Sequence, residues 1–345
     1  MNVLEIDGLT VALPAGRAAR PLLSDVSLHV AQGEVVGLVG ESGSGKSLTC
    51  RAALGALPPR ASAEGSVRTV GDDVFALSAR ALRRLRSEKV GLVPQDPRAA
   101  VNPLYRVGDY LVEAVRAAGV PQAEARARAV TLLGDVGIRE PERALRCWPH
   151  EFSGGMLQRV AIAGALAGRP ALLLADEPTT ALDVTIQAEV LSILLDITAQ
   201  RSAGLLLVTH DLELAAAVCD RVYVMYAGRI IEAQPAASLF ASPRHPYTAG
   251  LLHATPSLAG PVGRLEAVPG RPLGLDEAVP GCSFSARCPH VRPTCTEVVP
   301  DLVSQPGAGG IAVACLRADE LRDELRRSGP GRADPDHPVL EEQPA

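Results

Sequence analysis

Only two of the chain's 34 basic residues are lysines, Lys46 and Lys89; arginine fills every other basic position. A GC-rich genome accounts for the bias, and against it Lys46 marks a site that arginine does not suit. Lysine brings a compact point charge into a tight loop, where a planar guanidinium fork is too bulky. A surplus of positive charge is also missing, the formal net charge being -5. That gives no support for a nucleic-acid binder, which carries a basic face. No apolar run reaches the ~18–20 residues that span a bilayer; "ALLLA" and "GLLLV" are strand-length and bounded by Pro, Gly or Asp. The opening "MNVLEIDGLTV" has neither a basic flank nor a continuous apolar stretch, so no signal peptide is expected. These absences predict a cytosolic protein that reaches a membrane only through partners.

What is present is an ordinary soluble composition, 345 residues long, enough for one large domain and an appendage. Up to about Gln234, apolar strand-like runs alternate with amphipathic helical ones, the pattern of an α/β fold around a parallel sheet. "EVVGLVG" (Glu34 to Gly40), "ALLLADEP" (Ala171 to Pro178), "GLLLVTHD" (Gly204 to Asp211) and "RVYVMYAG" (Arg221 to Gly228) are the clearest strands. Ahead of them, "VLEIDGLTVAL" and "LLSDVSLHV" alternate in and out, which predicts a small antiparallel sheet. From about Asp109 to Gly168 the chain is rich in Ala, Leu and Arg at helical spacing, a helical insertion between sheet strands. After Ala241, Pro and Gly become frequent and periodicity fades; from about Ser328 the texture is that of a disordered tail.

"GESGSGKS" fits the phosphate-loop pattern through Gly40, Gly45, Lys46 and Ser47, with Ser42, Gly43 and Ser44 between them. It follows a strand and precedes the helical "SLTCRAALGAL". The glycines let successive N–H groups turn inward around phosphate oxygens, and the helix dipole adds to them. Lys46 then neutralises β/γ-phosphate charge, and the Ser47 hydroxyl takes Mg²⁺. Asp176, ending the apolar run of "LLLADEP", is placed to hold Mg²⁺ through water, and Glu177 to polarise an attacking water. That second carboxylate separates a hydrolase from a mere nucleotide binder. Gln95 in "GLVPQDP" and His210 in "LLLVTHD" also end apolar strands, the edge where open α/β sheets bind ligands. Far downstream, "HEFSGGMLQRVAIAGAL" reads as a second anion-binding helix start, built by Ser153, Gly154 and Gly155. One triphosphate rarely needs two such sites in a single fold. Two copies facing head to tail would use both, each phosphate loop closed by the neighbour's Ser-Gly-Gly turn.

With these motifs in order, and an "ALD" loop among them, the chain from about Val3 to Ser242 resembles the ATP-binding-cassette (ABC) ATPases. The resemblance implies a P-loop NTPase core of α/β class at 1–242, with an antiparallel β subdomain and a helical subdomain at about 97–168. It also implies ATP and Mg²⁺ sandwiched in a dimer. There Gln95 senses Mg²⁺ and water, Ser153 to Gly155 bind the partner's γ-phosphate, Asp183 crosses the interface, and His210 holds the γ-phosphate beside Glu177. "VPQDPRAAVNPLYRVGDYL", "DEPTTALDVTIQAEVL", "SPRHPYTAGLL" and "VPGCSFSARCP…C…VAC" further resemble the oligopeptide/dipeptide permease ATP-binding subunits. In that group His245, Pro246, Tyr247 and Thr248 open a C-terminal extension, here 243–320, ahead of a tail at 321–345 expected to be disordered.

The implied activity is ATP hydrolysis that energises a peptide importer at the cytoplasmic face of the cell membrane. The implied partners are two transmembrane permease subunits, a second cassette ATPase, identical or related, and, through the permease, an extracytoplasmic substrate-binding protein. Each permease subunit would press a short helix into the cleft between sheet core and helical insertion, near Gln95. Nucleic acid is not expected. Nickel importers belong to the same group, and other ABC ATPases serve DNA or ribosomes, so both stand as alternatives. Two departures are visible. The signature reads "FSGGM" rather than Leu-Ser-Gly-Gly-Gln, an ordinary variant of the subgroup. The segment "LTVALPAGRAARPLLSDV" has no aromatic residue where the family stacks adenine, and Arg17 or Arg20 could cover the ring instead.

Of seven cysteines, Cys282, Cys288, Cys295 and Cys315 crowd into the last quarter, which in a cytosolic chain favours metal chemistry over disulfides. Their spacing, C-x5-C-x6-C-x19-C, has neither the paired C-x2-C knuckles of structural zinc nor the compact ferredoxin run. Similar tails in some peptide permease ATPases hold a [4Fe–4S] cluster, and the resemblance implies one here; zinc and free or partly oxidised thiols are the alternatives. A metal would staple a Pro/Gly-rich segment that lacks a core of its own. Cys50, Cys147 and Cys219, in helical or apolar surroundings, are expected to be buried fillers.

Overall fold

A computed structural model describes residues 1–15, 18–180, 182–254, 267–274, 277, 280–304 and 310–326. The alternating N-terminal segments form β1 (Asn2–Ala15) and β2 (Ala18–Ala31), paired antiparallel from Asn2↔Ala31 to Ala15↔Ala18. Alternation buries Leu4, Ile6, Val26 and Leu28 on one face. There follow β3 (Val35–Val39), all five residues buried, then β4 (Ser62–Thr69) and β5 (Asp72–Asp73). The antiparallel sheet runs β2-β1-β4-β5.

The apolar runs supply the second sheet. β6 (Val90–Val93), β7 (Leu172–Asp176), β8 (Gly204–Thr209) and β9 (Arg221–Tyr226) lie parallel to β3 in the order β9-β3-β8-β7-β6. Near-continuous Val and Leu suit strands covered on both faces. β10 (Arg229–Pro235) turns back antiparallel on β9. From the C-terminal extension, β11 (Val303–Ser304) and β12 (Ala312–Val313) complete that edge, β12 pairing with β10.

Two cores flank this sheet. One packs Leu4 and Ile6 against Val36, Leu38 and Leu206. The other packs Val39, Leu173 and Leu207 against the helical insertion. The insertion holds the helices Val107–Ala117, Gln122–Asp135 and Gly154–Ala165. Val107, Leu111 and Val115 recur at every fourth position and are buried, as an amphipathic helix requires.

The extension departs from expectation, because it does have a core: that of the cassette. Tyr247 and Phe284 are buried in the same cluster as Val39 and Tyr226. The rings of Tyr226 and Tyr247 lie 4.8 Å apart, and each lies 5.4 Å from Phe284. Buried Glu232 of β10 accepts the N–H groups of Arg244 (2.6 Å) and His245 (3.0 Å), which pins the junction. Ordered packing also continues into the expected disordered tail: Leu321 and Leu325 are buried against Ala249. The rest of that tail, from 327, lies outside the described residues. Among the described residues no helix is long and apolar enough to cross a membrane.

Candidate active site

At the end of β3, Gly40 turns the chain with φ +155°, and a Cβ there would lie 2.2 Å from the carbonyl oxygen of Met225. Only glycine lets the loop pass so close to β9. Gly43 and Gly45 also take positive φ, and Gly45 is the N-cap of the helix Lys46–Ala53. The Lys46 side chain is buried, and its Nζ donates to the carbonyls of Gly40 (2.8 Å) and Glu41 (2.9 Å). Burial pulls its pKa below the ordinary value, opposed by the Glu177, Asp176 and Glu41 carboxylates. Ser44 Oγ is buried in the loop without a partner. Ser47 Oγ donates to Asp176 Oδ1 at 2.8 Å. Burial pushes the Asp176 carboxyl up, and the Ser47 bond opposes it.

Immediately after β7, Glu177 adopts φ +47°, held by its N–H donating to the Val208 carbonyl at 3.0 Å. A left-handed non-glycine residue costs ~1–2 kcal/mol and persists only where the surroundings fix it. Here they aim the carboxylate into the cleft. Its Oε2 accepts from Gln95 Nε2 (3.1 Å) and Thr180 Oγ1 (3.0 Å), with His210 Nδ1 at 3.5 Å. Lys46 Nζ stands 3.8 Å from its other oxygen. The phosphate loop, Gln95, Glu177 and His210 therefore surround one cleft of about 660 Å³, which Leu251 of the extension also lines.

The Ser153–Gly155 turn is not among the described residues lining that cleft. Ser153 caps the helix Gly154–Ala165, its Oγ accepting the Met156 N–H at 3.3 Å. Asp183 caps the helix Val184–Arg201 in the same way, accepting the Ile186 N–H at 3.0 Å, and is itself exposed. The two glycines differ. A Cβ on Gly155 would lie 2.4 Å from Ile186 Cγ2, whereas on Gly154 its nearest neighbour is Leu182 Cδ2 at 3.6 Å. A β-branched helix residue has almost no alternative rotamer. Gly155→Ala is thus expected to cost about 1–3 kcal/mol by overpacking and to lower Tm by several degrees. Gly154→Ala should leave Tm unchanged or raised, and equal shifts in a thermal melt would refute this packing account.

Two family models match the chain: "ABC transporter" over residues 23–180 and "Oligopeptide/dipeptide transporter, C-terminal region" over residues 231–295. The probable peptide ABC transporter ATP-binding protein y4tR of Sinorhizobium fredii is 44% identical over 304 residues, spanning 87% of this chain and 90% of that protein. The chain belongs to the oligopeptide/dipeptide family of ABC transporter ATP-binding proteins. The oligopeptide transport ATP-binding protein OppD of Mycobacterium tuberculosis is 43% identical over 320 residues. That match covers 92% of this chain but 52% of OppD, so the chain spans about half the length of that relative. A solved dimer of the ATP-binding cassette MJ0796, in a post-hydrolysis state bound to ADP and Pi, superposes with a TM-score of 0.59 at 27% identity. It covers 68% of this chain and 98% of its own.

As in other ABC ATPases, the fold is α/β with an antiparallel β subdomain and a helical insertion. The cradle fits ATP with Mg²⁺: the orphaned Ser44 hydroxyl needs a partner, and the Ser47–Asp176 pair offers oxygens to a hard cation. The four clustered cysteines fit less well. They line one small cavity of about 20 Å³, and burial pushes the Cys282, Cys288 and Cys315 thiols up, the last to about 11. Metals bind the thiolate, and among the described residues no group of three or more His, Cys, Asp or Glu is placed to hold a metal ion. Nothing in this arrangement supports an iron–sulfur cluster or zinc.

Cys50 and Cys219 are buried fillers as expected, but Cys147 is only half-buried. Of the arginines expected near adenine, Arg17 lies outside the described residues and Arg20 is exposed on β2. Sequence reasoning missed Thr180, which steadies Glu177. It also missed buried Gln158, whose Nε2 donates to the Pro94 carbonyl at 3.2 Å. That bond ties the helix behind the Ser-Gly-Gly turn to the residue before Gln95. The signal for it was helical spacing, since Gln158 lies one turn beyond Gly154.

Proposed function

We propose that the chain is the ATP-hydrolysing subunit of an importer for peptides, working as one half of a head-to-tail pair of cassettes. The observation that carries the reading is the split of the anion sites. Lys46, Ser47, Gln95, Glu177 and His210 surround one cleft, with Asp176 behind Ser47, while the Ser153–Gly155 helix start is not part of its lining and would take a nucleotide from elsewhere. Mg²⁺, held by Ser47, by Asp176 through water and by Gln95, would supply charge neutralisation between the β- and γ-phosphates.

The chain's own groups do the rest. Backbone N–H groups of the phosphate loop and the Lys46 ammonium hold the phosphates. The partner cassette's Ser-Gly-Gly turn closes over the γ-phosphate and, with Asp183 at the interface, excludes water from the site. Glu177 takes a proton from the attacking water, while His210 steadies the γ-phosphate beside it. Gln95, tied through Pro94 to Gln158, reports the state of the site to the helical insertion. Exposed Leu104 and Tyr105, on the loop after Gln95, suit the helix that each of two permease subunits would press into this face. The chain would then sit at the cytoplasmic side of the membrane, with a substrate-binding protein engaging the permease from outside. A cluster or zinc on the four cysteines would be a staple outside this reaction, and iron and zinc analysis of freshly isolated protein tests for it.

The experiment is to express the Glu177→Gln chain in its native host, trap it with ATP, solubilise the membranes and identify what co-purifies. Two multi-spanning proteins, with or without a second cassette ATPase, are expected. Recovery from the soluble fraction with ribosomes or DNA would overturn the transport reading and leave the ATPase chemistry standing.

A further inference from the structure

The residue after Gly40 is a glutamate, and its position is electrostatically awkward. Glu41 lines the cleft that is to receive a polyanion, and a carboxylate there repels phosphate. The neutralising charge comes from 246 residues away: Arg287 of the extension makes a two-pronged pair with Glu41, Nη1 to Oε2 at 2.7 Å and Nη2 to Oε1 at 3.1 Å. The Arg287 side chain is 5% exposed. Its other contacts are all spoken for: Nε donates to the Pro269 carbonyl at 2.8 Å, and the plane lies 5.7 Å from the Tyr226 ring and 5.9 Å from Phe284. From the helix Pro246–Ala254, the Tyr247 hydroxyl accepts the Glu41 N–H at 3.0 Å. The Glu41 carbonyl in turn accepts from Lys46 Nζ. One residue is thus held by the extension through its side chain and its N–H and by the phosphate-binding lysine through its carbonyl.

We propose that Arg287 and Tyr247 are positioning residues of the nucleotide site, Arg287 cancelling the Glu41 charge and both fixing the phosphate loop for the incoming triphosphate. The proposal rests on the reading of this loop as the ATP site. A merely structural glue between extension and cassette is a weaker account, because a buried ion pair contributes little net stability over an apolar replacement. The two accounts also differ in what they move. If the pair is glue, breaking it lowers Tm and leaves the nucleotide affinity of the folded chain unchanged. If it is electrostatic positioning, removing the Glu41 charge repairs the loss of Arg287.

The test measures binding of a fluorescent ATP analogue, together with ATPase KM and kcat, on the full chain. Arg287→Ala should weaken nucleotide affinity about tenfold and raise KM, with kcat at saturation little changed. Adding Glu41→Gln to that variant should recover most of the affinity. Arg287→Lys, which keeps the charge but not the two-pronged geometry, should fall between, and Tyr247→Phe should weaken binding several-fold. Unchanged affinity in Arg287→Ala, or a double variant no better than the single, would overturn the proposal. Should Arg287→Ala fail to fold, Arg287→Lys decides, and wild-type affinity in it would overturn the proposal equally. A wild-type chain that binds no ATP would instead refute the site reading on which this rests.

Discussion

Glu177→Gln is expected to bind ATP and form the closed pair of cassettes, yet to turn over about 10²–10⁴-fold more slowly than the wild type. The substitution keeps shape and reach. The left-handed backbone at this residue is set by the Val208 bond, which glutamine does not disturb. The amide oxygen can still accept from Thr180. What is lost is the negative charge facing Lys46 and His210, and with it the base proposed to take the proton of the attacking water. Removing a carboxylate from the mouth of a phosphate site also removes repulsion toward ATP, so affinity should rise or hold while kcat collapses. Phosphate release, measured beside size-exclusion chromatography with ATP, checks both halves. Wild-type turnover in the variant would sink the assignment of Glu177 as the base.

Gly154→Asp should separate stability from activity in the opposite sense. A Cβ at this position meets only Leu182 Cδ2 at 3.6 Å, so the fold accommodates the side chain. A carboxylate in the first turn of the helix Gly154–Ala165 interacts favourably with the helix dipole, by about 0.3–1 kcal/mol. The isolated chain should therefore melt no lower than wild type. In the proposed closed pair, the same carboxylate would point at the partner's γ-phosphate. It replaces an attraction with a repulsion at a place where a single lost oxyanion donor costs ~10²–10³-fold. ATPase activity should fall by at least about tenfold, and no ATP-dependent dimer should appear even in the Glu177→Gln background. Undiminished activity would count against the shared nucleotide.

The phosphate loop, the Asp176–Glu177 pair and the Ser-Gly-Gly turn were legible in the sequence because each is a local strand–loop–helix event. A few residues fix its backbone, and their types reveal the chemistry. The helical insertion was legible from its spacing, although its first long helix begins at Val107, before the expected Asp109. What could not be read were contacts whose partners lie far apart in the chain. Nothing in the phosphate-loop pattern singles out Glu41, between Gly40 and Ser42, until Arg287 is placed beside it. Gln158 looked like a polar residue on a helix until its amide met Pro94. The four cysteines are the converse case. Residue type and family likeness pointed to a metal, but ligand geometry is a property of packing, and the packing places these thiols around a small apolar cavity.

The edge-to-face cluster of Tyr226, Tyr247 and Phe284 has a wider consequence. It lies in one continuous cluster with Val39, at the foot of the phosphate loop, and with Leu111 and Leu132 of the helical insertion. A boundary drawn near residue 242 divides the polypeptide but not the cooperative unit. Local opening events in proteins follow contiguous packed groups rather than stretches of sequence. The packing therefore couples the extension to the cassette, and a disturbance in the last quarter of the chain has a continuous path of side chains to the foot of the phosphate loop.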